Sequence, residues 1–364
     1  MITAGTEIKI GSKIAKNRII MAPTVKFFAG DDGMVTDAFV EHYKERAAHE
    51  CGLIVVEATC VSKEGRLAPT QLGLWCDEQI EGHKKIADAV HEYGALVIPQ
   101  IHYGGLGTHP DCGPLTSPSK VTWSDWGREE EAVELTLEDI SRIQKCFVDA
   151  AVRAKKAGYD GVQLHACHAY LINDFASNIN KRTDKYGGSI ENKARFGAEI
   201  IEEIRKACGN DFIISARVSG ADPTPEESIE VAECYVKAGC DYLQVSCGIG
   251  DFNGIPYDES LPYNKIAALG VMMHEHFKGR VPVSTVNGLR DVEIVRYMIE
   301  NELVDTVDLA CGLLADPAFS EAILHDAPYV KCFSCPDCAF GPRHSHPCPA
   351  MKKRGVLEPI ANYK

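Results

Sequence analysis

Residues 155–165, KKAGYDGVQLH, carry the pattern that decides the fold. A charged helical stretch ends at a glycine, and a short apolar run follows it at once. Glycine at the end of a helix, followed by an apolar run, is typical of the helix-to-strand junction in a βα repeat. The same pattern occurs in four other segments: HECGLIVVEA (49–58), HEYGALVIPQ (91–100), CGNDFIISAR (208–217) and VKAGCDYLQVS (236–246).

Three further apolar runs complete the set of strands: RIIMA (18–22), VPVST (281–285) and DTVDLA (305–310). Helical stretches are predicted between them, for instance at 37–50, 77–93, 137–157, 224–238 and 290–301. Thr224 and Glu227 have the spacing of a capping box at the start of one helix. Eight alternating βα units predict a parallel (β/α)8 barrel of the α/β class, whose strand ends converge on one mouth.

Composition narrows the class of protein. The chain has 364 residues, of which 45% are hydrophobic, so it can bury one sizeable core. Its net charge of −14 argues against nucleic acid and anionic membrane surfaces as partners. The N-terminus lacks the apolar core of a signal peptide, and no run of eighteen apolar residues occurs. Fifteen cysteines without a secretory signal indicate a reducing cytoplasm.

The chain divides into a barrel over 1–328 and a cysteine-rich tail over 329–364. One insertion, 104–136, follows the third strand and is too long for a bare connection. It contains Trp123 and Trp126. Two interpretations remain open: a lid or substrate wall at the catalytic face, or a surface excursion packed on the barrel rim.

The fourth strand ends in chemistry-bearing side chains. His165, His168 and Tyr170 follow its apolar run, and together they can donate several hydrogen bonds and one proton to a bound molecule. A polar loop with two glycines, RTDKYGGS (182–189), precedes a helix that starts near Ile190. A His-x-x-His pair alone is more often structural or metal-binding, so the interpretation depends on the longer stretch around it.

The whole stretch 162–196, VQLHACHAYLINDFASNINKRTDKYGGSIENKARF, resembles the signature of the Old Yellow Enzyme family of FMN-dependent oxidoreductases. The resemblance implies that His165 and His168 bind the activating group of the substrate and that Tyr170 is the proton donor. It implies an ene-reductase, in which reduced FMN gives hydride to the β-carbon of an unsaturated substrate and Tyr170 protonates the α-carbon. By the same resemblance, the residues that contact FMN are Pro23, Thr24, Val25, Ala58, Gln100, Arg217, Asn287, Gly288, Ala310 and Cys311.

Two positions depart from the family pattern. Val25 stands where relatives commonly have Thr or Cys to hydrogen-bond the flavin, and Cys311 stands where they usually have Arg at the FMN phosphate. Loss of that charge-assisted contact predicts weaker FMN binding, by about 1.5–3 kcal/mol. Arg290, in the neighbouring loop, is the candidate to replace it.

The tail has the spacing Cys332-x2-Cys335-x2-Cys338-x9-Cys348, which is typical of a [4Fe–4S] cluster. A structural zinc site, with His344 or His346 as a ligand, is the alternative. The tail resembles the one in the subfamily of trimethylamine dehydrogenase and 2,4-dienoyl-CoA reductase. Because no G-x-G-x-x-G follows a strand, we expect electrons from a ferredoxin, flavodoxin or flavoprotein partner, or directly from NAD(P)H. Because an exposed iron–sulfur cluster degrades in oxygen, such a protein would suit an anaerobic organism.

Three other functions remain as alternatives. They are an oxidative amine dehydrogenase or demethylase, a flavin-poor electron-transfer subunit, and a zinc hydrolase that uses His165 and His168. The last has no evident carboxylate partner in the sequence. We expect substrate specificity to depend on 104–136 and on 247–262, and a homo-oligomer is compatible with the sequence.

Overall fold

The structure is a computed structural model that describes residues 1–125, 128–249, 255, 257–336, 338 and 348–355. Eight parallel strands form a closed barrel, in which each strand pairs with the next barrel strand along the chain and the last pairs with the first. These strands are β3 (Ile19–Met21), β4 (Leu53–Cys60), β5 (Leu96–His102), β10 (Gly161–Ala166), β11 (Ile213–Ser219), β12 (Tyr242–Ser246), β13 (Val283–Val286) and β14 (Thr306–Leu309). The (β/α)8 barrel predicted from the sequence is confirmed, and each of its strands overlaps a predicted run.

Helices connect the strands of the barrel, and further helices follow the last strand. They are α1 (Asp37–Ala48), α2 (Ile80–His91), α3 (Leu137–Lys156), α4 (Leu171–Ala176), α5 (Ile190–Cys208), α6 (Pro225–Ala238), α7 (Lys265–Phe277), α8 (Val292–Glu300), α9 (Cys311–Ala315), α10 (Phe319–His325) and α11 (Pro349–Lys353). No helix in the described part of the chain is long and apolar enough to cross a membrane.

The helix ends follow the local signals in the sequence. Gly158 and Gly239, just after α3 and at the end of α6, have φ of 88° and 110°, which glycine adopts without steric cost. Thr224 caps α6 as predicted, because its Oγ1 accepts a hydrogen bond from the Glu227 amide at 3.2 Å. Thr136 and Asp139 form a capping box with contacts in both directions at the start of α3.

A short antiparallel hairpin closes the end of the barrel opposite the predicted mouth. Its strands are β1 (Ile8–Ile10) and β2 (Lys13–Ala15), which the sequence analysis did not predict. Ile8 and Ile10 pack with residues that begin barrel strands, including Leu53, Ile213 and Tyr242. The hairpin therefore seals the amino-terminal end of the barrel, and the opposite end is left for a site.

The insertion at 104–136 has a small structure of its own. It contains β6 (Thr116–Ser117), β7 (Thr122–Asp125), β8 (Arg128–Glu131) and β9 (Val133–Glu134), of which β7 pairs with β8 and β6 with β9. Trp123 packs against a small apolar cluster of Leu106, Leu115 and Ala132. Trp126 lies outside the described residues.

The polar loop after the fourth strand ties the insertion to the barrel. Arg182 donates to the carbonyls of Pro118 and Leu135, at 2.9 and 2.7 Å, and pairs with Asp184 at 2.6 Å. A Cβ on Gly187 would come within 2.1 Å of the Arg182 carbonyl oxygen, so only glycine fits there. The RTDKYGG motif thus has a structural role, and α5 begins at Ile190 as predicted.

Candidate active site

The carboxyl ends of the barrel strands bring polar side chains into one layer. His165 on β10 lies opposite Arg217 on β11, and Arg217 lies opposite Gln244 on β12. One step deeper, Gln100 donates to Gln163 at 2.9 Å. The structure thus brings together three residues that the sequence assigned to separate strand ends, Gln100, His165 and Arg217.

Three histidines form a hydrogen-bonded chain in this layer. His165 Nε2 lies 3.2 Å from His168 Nδ1, and His165 Nδ1 lies 3.2 Å from His102 Nδ1. At the other end, His168 Nε2 lies 2.9 Å from the Oγ of Ser246, which also accepts from Arg217 Nη2 at 3.3 Å. The predicted histidine pair is therefore the centre of a longer chain that runs from β5 to β12.

Burial keeps these histidines neutral. Desolvation lowers the pKa of His102 to about 3. It also holds the pKa of both His165 and His168 well below the usual range, and neighbouring positive charge, including that of Arg217, acts in the same direction. Each imidazole therefore carries one N–H near pH 7, so each can donate one hydrogen bond and accept one.

Tyr170 lies beside the histidines, as the sequence predicted. Its ring centroid is 4.5 Å from that of His165 and 4.5 Å from that of His102, with edge-to-face geometry. The insertion also reaches this ring, because a Cβ on Gly107 would come within 2.6 Å of Tyr170 Cε1. The phenol is thus held between the barrel and the first turn of the insertion.

The turn that presents His168 and Tyr170 is strained. His168 and Ala169 have φ of 64° and 59°, which residues other than glycine rarely adopt. Such conformations cost on the order of 1–3 kcal/mol each and cluster at functional sites. Asn173 helps to hold the turn, because its Oδ1 accepts from the Ala169 amide at 3.0 Å and its amide group donates to Asp222 at 3.2 Å.

A cavity of about 260 Å³ opens next to His168, at the ends of the last four strands. Its walls include five residues assigned to FMN by resemblance, which are Arg217, Asn287, Gly288, Ala310 and Cys311. Arg290, the candidate replacement for the missing arginine, lines the same cavity.

Two observations fit a polar, flat ligand in this cavity. The Nε of Arg217 is buried without a hydrogen-bond partner in the described residues, so a donor is left for a ligand. Asn287 and Gly288 have φ of 87° and 73°, a backbone conformation that Gly288 adopts without strain. A flavin and its phosphate group need such donors and such close backbone approach.

The remaining predicted cofactor residues lie just after the first barrel strand and on the second. Pro23 is buried, and Thr24 follows it, half-buried, with Oγ1 3.4 Å from the Ala22 carbonyl oxygen. Ala58 is buried beyond an irregularity in β4, and its carbonyl accepts from Gln71 at 2.7 Å. None of these three lines the cavity beside His168, so they border a different part of the mouth.

Val25, the other departure from the family pattern, packs in an apolar wall next to Tyr170. The wall also contains Phe27, Leu67 and Ala68. A valine contributes surface but no hydrogen-bond donor at this position. The wall borders the phenol, so it can contact an apolar part of a bound molecule.

Glu57 holds the loop after the first barrel strand against the second. The carboxylate accepts from the amides of Lys26 and Phe27, at 3.0 and 3.4 Å, and Tyr43 donates to it at 3.3 Å. Its side chain is fully buried, and desolvation raises its pKa to about 7. Glu57 therefore positions the segment that carries Thr24 and Val25.

The tail cysteines begin next to the cavity. Cys311 is hydrogen-bonded to the thiol of Cys338, and this contact, together with burial, raises the pKa of the Cys311 thiol. Cys332 is also close enough to raise this pKa electrostatically. The structure thus brings Cys332 and Cys338 toward Cys311, and Cys335 and Cys348 are half-buried. His344 and His346, the alternative zinc ligands, lie outside the described residues.

Asp316 anchors both ends of the cysteine segment to the barrel. Its carboxylate accepts from the Val330 amide at 2.7 Å and pairs with Arg354 Nε at 3.3 Å. Val330 precedes Cys332, and Arg354 follows Cys348. One carboxylate after β14 therefore contacts the chain both before the first and after the last of the four tail cysteines.

In the described part of the chain, one group of three possible metal ligands comes within 4.8 Å: His165, Cys167 and His168. Burial raises the pKa of the Cys167 thiol, which disfavours the thiolate that a zinc ion binds. This weakens the interpretation of the histidines as a zinc site.

The sequence profile of the NADH:flavin oxidoreductase / NADH oxidase family matches residues 6–328. The chain belongs to this family, the Old Yellow Enzyme family. The NADH oxidase of Thermoanaerobacter brockii is 36% identical over 344 residues, which are 91% of this chain and 52% of that protein. The prediction of a flavin-dependent oxidoreductase enzyme is confirmed at this level.

Two solved structures have the same fold. A complex of 2-naphthoyl-CoA reductase with 2-naphthoyl-CoA is 27% identical, with a TM-score of 0.84, over 92% of this chain and 54% of that chain. The Old Yellow Enzyme homologue from Zymomonas mobilis is 27% identical, with a TM-score of 0.78, over 91% of this chain and 95% of that chain. The chain thus spans about half the length of the NADH oxidase and of the naphthoyl-CoA reductase.

The sequence analysis missed four residues of this candidate site: His102, Glu57, Ser246 and Asp316. For His102 a signal existed, because it follows Gln100 by two residues and side chains two apart on a strand share a face. For Glu57 and Asp316 the partners are distant in sequence or are backbone amides, which no local pattern reveals.

Proposed function

We propose that this chain is an FMN-dependent ene-reductase that reduces an activated carbon–carbon double bond. The observation that carries the proposal is the adjacency of His165 Nε2 and His168 Nδ1, 3.2 Å apart, with the Tyr170 ring packed against His165. Two donors at this spacing can share one acceptor oxygen. A proton donor beside them completes the requirements for reduction of an α,β-unsaturated carbonyl compound.

FMN, when bound, supplies the hydride for this reduction. The residues that would hold it are Pro23, Thr24, Val25, Ala58, Gln100, Arg217, Asn287, Gly288, Ala310 and Cys311. The unpartnered Nε of Arg217 and the cavity lined by Gly288 and Arg290 support this set. Arg290 is the residue of this chain that would place positive charge beside the phosphate.

The chain's own groups would bind and protonate the substrate. His165 and His168 would donate to the oxygen of the activating group and stabilise the negative charge that develops there. Tyr170 would give its proton to the α-carbon. Neutral imidazoles suit an uncharged carbonyl, and the low pKa values of both histidines keep them neutral.

The substrate class follows from the wall beside Tyr170. Val25, Phe27, Leu67 and Ala68 offer an apolar surface, so a conjugated acceptor with an apolar body is favoured over a small polar one. The insertion 104–136 would form the opposite wall, because Gly107 contacts Tyr170. Residues 247–262, which we also expect to contribute, are only partly described.

For the tail, we propose a [4Fe–4S] cluster bound by Cys332, Cys335, Cys338 and Cys348, within a segment at 329–364 that is separate from the barrel at 1–328. The spacing of the four cysteines and the closing contacts of Asp316 support this arrangement. Such a cluster would make the chain a member of the iron–sulfur subfamily that includes 2,4-dienoyl-CoA reductase. A ferredoxin, flavodoxin or flavoprotein would then supply electrons through the cluster, and NAD(P)H is the alternative donor.

The test begins with anaerobically purified protein. We expect a flavin spectrum, one FMN per chain after reconstitution and iron in the same sample. 4-Hydroxybenzaldehyde, a phenolic ligand, should give a long-wavelength charge-transfer band with the oxidised flavin. His165→Ala should abolish that band.

The matched control is His83→Ala, which removes a buried histidine of the same barrel whose nitrogens bond to Tyr159 and Gly73. This variant should keep the band. A chain that takes up no FMN would favour the electron-transfer subunit, and zinc coordinated by both His165 and His168 would contradict the proposed function.

A further inference from the structure

His102 is a buried histidine at the end of β5 that touches two residues of the proposed catalytic set. Its Nδ1 lies 3.2 Å from His165 Nδ1, and its ring packs edge-to-face on Tyr170, with centroids 4.5 Å apart. Its side chain is fully buried, and its Nε2 has no hydrogen-bond partner in the described residues. The His165 side chain is therefore the polar neighbour through which His102 can act.

Binding of a substrate oxygen fixes the protons of the histidine pair. His165 Nε2 and His168 Nδ1 lie 3.2 Å apart. For both to donate to one substrate oxygen, as proposed, His165 must carry its proton on Nε2 and His168 on Nδ1, and their hydrogen bond to each other is replaced by the two bonds to the substrate. A neutral imidazole has one N–H. The other nitrogen of each ring, His165 Nδ1 and His168 Nε2, must then be a lone pair that accepts a hydrogen bond.

Each of these lone pairs faces a group that can donate. Ser246 Oγ lies 2.9 Å from His168 Nε2 and accepts from Arg217 Nη2, which leaves the hydroxyl proton for His168. On the other side, the group that faces His165 Nδ1 is His102 Nδ1. If His102 carried its proton on Nε2, either two lone pairs would face each other, or His165 would have to donate to His102 and lose its N–H toward the substrate.

We propose that His102 is a positioning residue that donates from Nδ1–H to His165 and thereby holds the Nε2–H of His165 toward the substrate oxygen. Ser246, with Arg217 behind it, would set His168 in the same way. This inference rests on the proposed function and deepens it: the donor pair is fixed by a third histidine. The unpartnered Nε2 of His102 is then a lone pair, and the single N–H of His102 is used in the contact with His165.

The first test reads the proton positions directly. In ¹⁵N NMR of the wild-type chain with FMN and 4-hydroxybenzaldehyde, His165 should show a protonated Nε2 and His102 a protonated Nδ1. A protonated Nδ1 on His165 would overturn the proposal, whatever the activity. This measurement needs no variant, so it does not depend on how well a variant folds.

The second test compares two replacements of His102. His102→Asn keeps an N–H donor near the position of Nδ1, whereas His102→Leu removes it. We expect the Kd for 4-hydroxybenzaldehyde to rise about tenfold or more in the leucine variant, because His165 would no longer hold its N–H toward the phenolate, and one hydrogen bond to a charged group is worth about that much. In the asparagine variant it should stay within about threefold of wild type.

The control is His83→Leu, because His83 is equally buried but bonds to Tyr159 and Gly73, away from the site. It should lower the Tm and leave the Kd unchanged. Wild-type affinity in His102→Leu, or an equal loss in both His102 variants with wild-type FMN content and Tm, would overturn the proposal. A wild-type chain that binds FMN but gives no charge-transfer band would contradict the proposed function instead, and the NMR of the same protein would still decide the tautomer.

Discussion

The Nη2 of Arg290 lies 3.8 Å from the Sγ of Cys311, and both residues line the cavity at the ends of the last strands. Cys311 occupies the position where the family resemblance leads one to expect an arginine. The guanidinium of Arg290, on the loop after β13, therefore lies beside this position. A charged donor beside the phosphate would bind it more strongly than a neutral donor, because hydrogen bonds with an ionised partner are about twice as strong as those between neutral groups.

A charge swap tests whether Arg290 holds the FMN phosphate. We expect Arg290→Met to weaken FMN binding about tenfold or more, the value of one charge-assisted contact. Cys311→Arg should tighten binding in the wild-type chain and restore it in the Arg290→Met chain. Fluorescence titration measures the Kd for FMN in each of these proteins. Cys311→Ser is the control for loss of the thiol. Equal affinity in all four proteins would place the phosphate elsewhere.

Tyr170→Phe tests the proton donor with little change in packing. Phenylalanine keeps the ring contacts with His165 and His102, whose centroids lie 4.5 Å away, and removes only the hydroxyl. We expect turnover of an enoate or enone substrate to fall about 10²–10⁴-fold, the usual contribution of a general acid. Flavin reduction, followed by absorbance in a stopped-flow instrument, should be unaffected. Unchanged substrate turnover would remove Tyr170 from this role.

The barrel could be predicted from sequence because each junction carries its own local signal. The glycine after α3 and the apolar run of β10 are adjacent in the chain, and the same holds for the other predicted strands. The hairpin of β1 and β2 was missed because its strands have three residues each and their burial depends on packing under the barrel.

The proposed catalytic residues could be found from the sequence only where the motif was contiguous. His165, His168 and Tyr170 stand within six residues of sequence, so a resemblance could find them together. His102 depends on the register of β5 against β10, which sets it beside His165 across 63 positions of sequence. The role of Asp316 likewise depends on its contacts with Val330 and Arg354, which lie in the tail, and no local sequence pattern predicts these contacts.

Glu57 gives a test of the site's supporting structure through pH. Its pKa is about 7 in the folded chain, against about 4.5 for an ordinary glutamate, so the folded chain binds the proton more tightly than the unfolded chain. The contribution of Glu57 to stability is therefore most favourable below pH 4.5 and is lost as pH rises to 7. From pH 5 to pH 7, this loss is about 2 kcal/mol.

Urea unfolding of wild type and Glu57→Gln measures this effect. Glutamine cannot ionise, so its free energy of unfolding, relative to wild type, should rise by about 2 kcal/mol between pH 5 and pH 7. Asp308, whose pKa burial also raises to about 7, is present in both proteins and cancels in the comparison. A difference that stays constant across this range would show that the Glu57 carboxyl is ionised at both pH values.

The tail gives the last test, which concerns the entry of electrons. Cys311 on the cavity wall is hydrogen-bonded to Cys338, so a cluster in the tail would lie beside the site proposed for FMN. We expect anaerobically purified protein to contain about four iron atoms per chain if one cubane is present. Reduction by a ferredoxin or flavodoxin should then be far faster than reduction by NADH.

Cys335→Ser should remove most of the iron, because serine is a poor ligand for this cluster. It should also stop reduction of the flavin by the protein donor, while dithionite still reduces it. Cys146→Ser, at a half-buried cysteine on α3, is the matched control and should keep both the iron and the electron transfer. Stoichiometric zinc without iron would contradict the cluster, and fast reduction by NADH in the cluster-free variant would show that electrons enter at the barrel mouth instead.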